Sequence, residues 1–187
     1  MISSIIKRLS VIAFLFFTTH VYAAEGTGFN LQLNKDWFSV QMKYKNQFVP
    51  KIFTRIEGGV DPVFTLEFFN DEILTAVVFS KTGTDIGTQQ YKEPIKTQCF
   101  FRVDKNPVYE AECIVGDDKD SYIIGLIDEN LDNNLLNQFK AGSKLRIKVA
   151  PYDQQKTPLY LKFSLKGFSS AYKRALELKN EDAQFFE

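Results

Sequence analysis

The chain has 187 residues, with 23 lysines and arginines balanced against 23 aspartates and glutamates, and one histidine, His20. That balance argues against nucleic acid as the main partner, which favours a strongly basic chain. His20 falls in a segment expected to be removed, and without it imidazole-dependent hydrolysis and most zinc, copper and non-haem iron sites are lost together.

The first 23 residues read as a cleavable signal peptide. Lys7 and Arg8 form a positive start, Val11–Phe17 a short apolar run, and Val21 and Ala23 the small-residue cleavage site. The run is shorter than the ~20 residues that span a bilayer; an uncleaved anchor is the alternative. No cysteine follows it, so a lipoprotein is not expected. Cleavage before Ala24 leaves 187 − 23 = 164 residues and a net charge of 21 − 23 = −2. Residues 24–187 are expected to form one β-sandwich domain, periplasmic or secreted, with no transmembrane segment; oligomeric state is left open.

Strand periodicity dominates residues 24–187. Phe29–Leu33, Trp37–Lys43, Phe53–Ile56, Phe64–Phe69 and Leu74–Ser80 are strand-like, and Asn70-Asp71-Glu72 reads as a hairpin turn between the last two. Lys81–Glu93, rich in Thr, Gly and Gln, reads as a long loop. Gln98–Val103 and Val108–Cys113 flank the turn-rich Asp104-Lys105-Asn106-Pro107. Tyr122–Ile127 adds another apolar run. Residues 129–140 place Leu131, Leu135, Leu136 and Phe139 at helical spacing, with Asp128 as N-cap and Gly142 as stop. Lys144–Val149 and residues 157–166 alternate apolar and polar with period two, as half-buried antiparallel strands do. A short helix over 169–179 comes next, with a frayed tail. The fold class is mostly β: an antiparallel sandwich, or sandwich-like barrel, with two short helices, one near 129–140 and one C-terminal.

Cys99 and Cys113 are the only cysteines. In an exported chain an isolated pair reads as a structural disulfide; a redox pair is the alternative, without Cys-x-x-Cys spacing. If Val103 faces Tyr109, Cys99 falls opposite Cys113, within reach of a bridge. The fifteen phenylalanines beyond the signal segment read as core, with an aromatic binding groove as the sharper alternative.

Two clusters invite a chemical reading. Asp117, Asp118 and Asp120 suggest calcium but lack the glycine and distal glutamate of a calcium loop, so a solvated turn is the better reading. Asp128, Glu129 and Asp132 suit a helix start. No metal, cofactor or catalytic residue is expected. If 144–149 and 159–165 pair as a hairpin with Val149 facing Leu159 and Arg146 facing Lys162, one polar face carries Lys144, Arg146, Lys148, Lys162 and Lys166. Opposed like charges cost stability, so this face points to an anionic partner, unless acidic neighbours make it an ordinary solvated surface.

Pro158–Ala171, with Ser164-Leu165-Lys166-Gly167-Phe168 running from strand to helix, resembles the C-terminal end of the invasion-associated locus B family of exported bacterial proteins. Lys140–Leu145 and Asp36-Trp37-Phe38-Ser39-Val40 are also similar to that family, although Met42 stands near where it usually has a cysteine. The resemblance implies an exported β-sandwich without known catalytic residues, loosely associated with host-cell invasion. The leading expectation is therefore a non-enzymatic protein that binds a protein or envelope component through a sheet face or the 81–93 loop. The alternatives are a carboxylate-dependent hydrolase of envelope glycan, which needs two acids facing each other in a cleft, and a carrier of a small apolar ligand, which needs an interior cavity.

Overall fold

Alternating apolar residues build ten strands. The computed structural model describes residues 28–44, 47–69, 72–80, 94–117, 121–126, 133–151 and 157–185. The strands are β1 (Gly28–Asn34), β2 (Trp37–Tyr44), β3 (Gln47–Arg55), β4 (Val63–Phe69), β5 (Glu72–Ser80), β6 (Ile95–Val103), β7 (Tyr109–Asp117), β8 (Ser121–Leu126), β9 (Lys144–Val149) and β10 (Leu159–Ser164). Two helices, α1 (Asn133–Ala141) and α2 (Phe168–Phe185), complete the described fold. All pairings are antiparallel, in the order β1-β2-β3-β4-β5-β8-β7-β6-β9-β10.

The mostly β, antiparallel expectation with two helices is borne out, and the sheet does not close into a barrel. Instead it curls until its halves face each other across one core. The end of β3 meets β10 through a bridge between Ile56 and Phe163 and a bond from the Glu57 N–H to the Lys162 carbonyl at 3.0 Å. Trp37, fully buried, donates its Nε1–H to the Ser164 carbonyl at 2.8 Å and meets Phe168 edge-on at 4.9 Å. Leu135, Leu136 and Phe139 of α1 and Phe168, Ala171 and Ala175 of α2 plug the same core.

Some element boundaries differ from the sequence reading. β3 starts at Gln47 and runs through Pro50, which faces Gln41 of β2; pairing to β4 begins only at Lys51. Pro50 thus sits where the strand is paired on one side, a place that tolerates a missing N–H. The second helix is long, running from Phe168 to Phe185 where a short helix and frayed tail were expected. The first begins at Asn133; its expected start, with Asp128, Glu129 and Asp132, lies outside the described residues, as do the signal segment, the 81–93 loop, Asp118 and Asp120.

Phenylalanines fill the interior: Phe64, Phe68, Phe79, Phe101, Phe139, Phe163 and Phe168 all belong to the main core. A void of about 10 Å³ remains among Phe64, Val77, Cys99, Cys113 and Ile147, which is at the limit for one water and far too small for an apolar ligand.

Candidate functional site

The disulfide between Cys99 and Cys113 is formed, with both residues buried and Cα atoms 5.9 Å apart. Its register differs from the expected one. Phe101 faces Tyr109, Cys99 faces Ala111 and Cys113 faces Thr97, so the cysteines are diagonal rather than opposed. The cause lies in the turn: β6 continues to Val103 to pair with Leu145 of β9, while β7 begins only at Tyr109. Asp104 adopts φ 48° there, and its carboxylate accepts the Ser143 N–H at 2.9 Å, the Ser143 hydroxyl at 2.7 Å and the Lys144 N–H at 3.1 Å. Those bonds, the Ser143 N–H foremost, hold the Asp104 carboxyl below its ordinary value, with the Arg146 charge adding to them and burial opposing.

The β9–β10 hairpin forms in the expected register. Leu159 faces Val149 and Lys162 faces Arg146, with Leu145, Ile147, Leu161 and Phe163 turned to the core. Lys144, Arg146, Lys148 and Lys162 therefore share the outer face. Lys166 lies past the last paired residue of β10, so the ladder does not set it against β9. Its carbonyl accepts the Asp36 N–H at 3.2 Å, in the turn that enters α2.

β6 extends this face on the other side of β9. Arg102 stands opposite Arg146, and Phe100 opposite Lys148. Two rows result across three strands: Lys162, Arg146 and Arg102 in one, Tyr160, Lys148 and Phe100 in the next. Sequence reasoning missed Arg102 because β6 and β9 are distant in the chain. The available signal was its parity, since Gln98, Phe100 and Arg102 alternate with Cys99, Phe101 and Val103.

Neighbours relieve some of these charges. Lys144 Nζ lies 3.2 Å from Glu57 Oε1, Arg146 Nη1 donates to the Asp104 carbonyl at 3.0 Å, and Lys148 Nζ sits 5.1 Å from the Phe100 ring centre. Among the described residues, no carboxylate lies within ion-pair distance of Arg102 or Lys162. Tyr160 is 68% exposed beside them. The face can attract anions and offers the exposed ring of Tyr160 beside the half-buried Phe100.

The acids with resolved partners serve local structure. Glu67 is buried against Lys51 at 2.7 Å, Asp36 accepts from Ser164, Asp61 accepts the Ser80 N–H at 3.0 Å, and Glu112 pairs with Lys96. Among the described residues, no group of three or more His, Cys, Asp or Glu could hold a metal, and no helix is long and apolar enough to cross a membrane.

The half of the molecule that carries this face also carries the relationship. Residues 97–176 match the family model of the invasion associated locus B (IalB) protein. Over those residues the chain is IalB-like. The matched segment of this IalB-like chain runs from β6 into α2 and includes Lys140–Leu145 and Pro158–Ala171, but not Asp36-Trp37. Trp37 nonetheless packs on Phe168, so the N-terminal part of the resemblance meets the C-terminal part in space. Among solved structures, that of invasion associated protein b from Bartonella henselae is similar, with a TM-score of 0.54 over 80% of this chain and 98% of that one. Its sequence identity is 16%, so the likeness is one of fold. No curated protein matches the sequence.

Proposed function

We propose that this IalB-like chain is an exported, non-enzymatic binding protein, and that the outer face of β6, β9 and β10 receives an anionic partner from an envelope or an acidic protein surface. The observation that carries this reading is the direct opposition of Arg102, Arg146 and Lys162 across three strands. Like charges so placed disfavour the folded state, and local conflicts of this kind, here relieved only at Arg146, are expected where a surface serves a partner. Export is supported by the signal-like first 23 residues, the family match and the buried disulfide, a bond that persists in oxidising compartments. On this reading the disulfide stiffens the hairpin beside the face and takes no part in chemistry.

The test compares the protein with an Arg102→Gln/Arg146→Gln/Lys162→Gln variant for retention on immobilised bacterial envelope fractions. Loss of retention in the variant, at an unfolding midpoint equal to or above that of the parent because the opposed charges are gone, is the expected result. Equal retention of both proteins sinks the reading.

A further inference from the structure

The basic face is narrow, and its borders say what shape of anion it accepts. Lys162, Arg146 and Arg102 lie on adjacent strands, so the backbones that carry successive cations stand about 4.8 Å apart, the spacing of strands in a sheet. The row starts at β10, the last strand in the sheet order, where the Glu57 N–H bonds the Lys162 carbonyl, and runs inward. Beyond β6 the character of the face changes: Glu110 stands opposite Phe100 and Glu112 opposite Gln98, both exposed. At the β10 end, Glu57 lies against Lys144. A flat anionic surface laid on this side, such as a membrane, meets those carboxylates together with the cations. A single chain laid from Lys162 to Arg102 meets three cations on adjacent strands, with Glu57 only at its β10 end.

The spacing suits one class of chain. A pyranose unit in an extended polysaccharide is about as long as one strand spacing, so a charged glycan crossing the strands can set successive carboxylate or sulfate groups near Lys162, Arg146 and Arg102. Guanidinium groups hold such oxyanions through two parallel N–H bonds. Beside Lys162 on the same strand face, Tyr160 exposes a ring on which the apolar face of a sugar can lie. Polyanions without sugar rings make no use of that ring.

We propose that the basic face binds an anionic polysaccharide, a single chain crossing β10, β9 and β6 along Lys162, Arg146 and Arg102 with a sugar ring on Tyr160. This inference rests on the reading of that face as a binding surface and names its partner class.

The experiment measures binding of the purified protein to heparin as a sulfated glycan probe. Polygalacturonate serves as a carboxylated probe, dextran as a neutral one, and phosphatidylglycerol vesicles as a planar anionic surface. The expected result is binding to one or both charged glycans and neither control. Arg102→Gln/Lys162→Gln should weaken it at least about tenfold and Tyr160→Ala about threefold, with no unfolding midpoint below that of the parent. Absent glycan binding, binding indifferent to these substitutions, or vesicle binding that Tyr160→Ala leaves unchanged overturns the proposal. If the glycans fail while envelope retention still depends on Arg102, Arg146 and Lys162, the basic-face reading survives and only the glycan assignment falls.

Discussion

Gly167 turns the chain from β10 into α2 at φ 94°, a region that favours glycine, and a Cβ there would overlap the Asn34 carbonyl oxygen. Nothing flexible stands in the way; the obstacle is backbone. Gly167→Ala is therefore expected to cost about 2–4 kcal/mol, from the strained φ and the forced separation of α2 from the β1–β2 turn. Urea denaturation of the variant checks this, and a loss below about 0.5 kcal/mol, the range of an ordinary surface change, would mean that the turn rearranges freely. Asp104 acts differently, through its charge. Three donors from Ser143 and Lys144 favour its ionised form, so its folded pKa lies below the unfolded one near 3.8. A depressed carboxylate contributes stability that is full above the unfolded pKa and is lost as pH falls through the folded one. The destabilisation caused by Asp104→Asn should therefore be present at pH 7 and shrink below pH about 4, the reference range for this group. Unfolding midpoints of both proteins at pH 7, 5, 4 and 3 show it; a gap that stays constant down to pH 3 would assign the effect to shape rather than charge.

Elements differ in how much of their placement the sequence reveals. β9 and β10 are readable together because both alternate cleanly, lie close in the chain and bury one face, so a one-residue slip would turn Leu161 and Phe163 outward. Their shared cations follow from that register alone. β6 and β7 are also strand-like, yet their pairing is shifted from the expected register by two residues, which leaves every side chain on its expected face and moves only the partners. The shift accompanies a turn in which Asp104 accepts from Ser143, a contact 39 residues away that no local pattern announces. The disulfide still forms because diagonal neighbours in a sheet remain within reach of a modest adjustment. Arg102 is hidden from a sequence reading for a related reason: the β6–β9 pairing joins two segments separated by β7, β8 and α1. The full length of α2 is hard to read because Asn180, Glu181, Asp182 and Gln184 in its last turns are polar or acidic and interrupt the apolar stripe.

At the scale of the molecule, the curled sheet has apolar residues on both faces. The inner face holds the main core, and Val49, Phe69, Leu74, Ala76 and Ile123 form a second cluster on the outer face of β3, β4, β5 and β8. Lys51 and Glu67 stand directly opposite one another on that outer face, 2.7 Å apart with side chains 4% and 5% exposed. A buried ion pair gains little net stability, since removing two charges from water costs about what their attraction returns; breaking it by removing one partner is far worse. The pair is expected to favour one register. A two-residue slip of β3 on β4 keeps every apolar residue on its own face, so packing alone discriminates weakly, but it sets Lys51 against Thr65 or Phe69 and strands the Glu67 carboxylate. Lys51→Met is accordingly expected to lose about 3–5 kcal/mol, and Lys51→Met/Glu67→Leu to recover to within about 1 kcal/mol of the parent. The remaining deficit reflects the Tyr44 hydroxyl, which donates to Glu67 at 3.4 Å. Denaturant unfolding of the parent, both single variants and the double variant closes the cycle. If the double variant is as unstable as Lys51→Met alone, the ion pair stabilises the fold outright and its role is not confined to selecting the register.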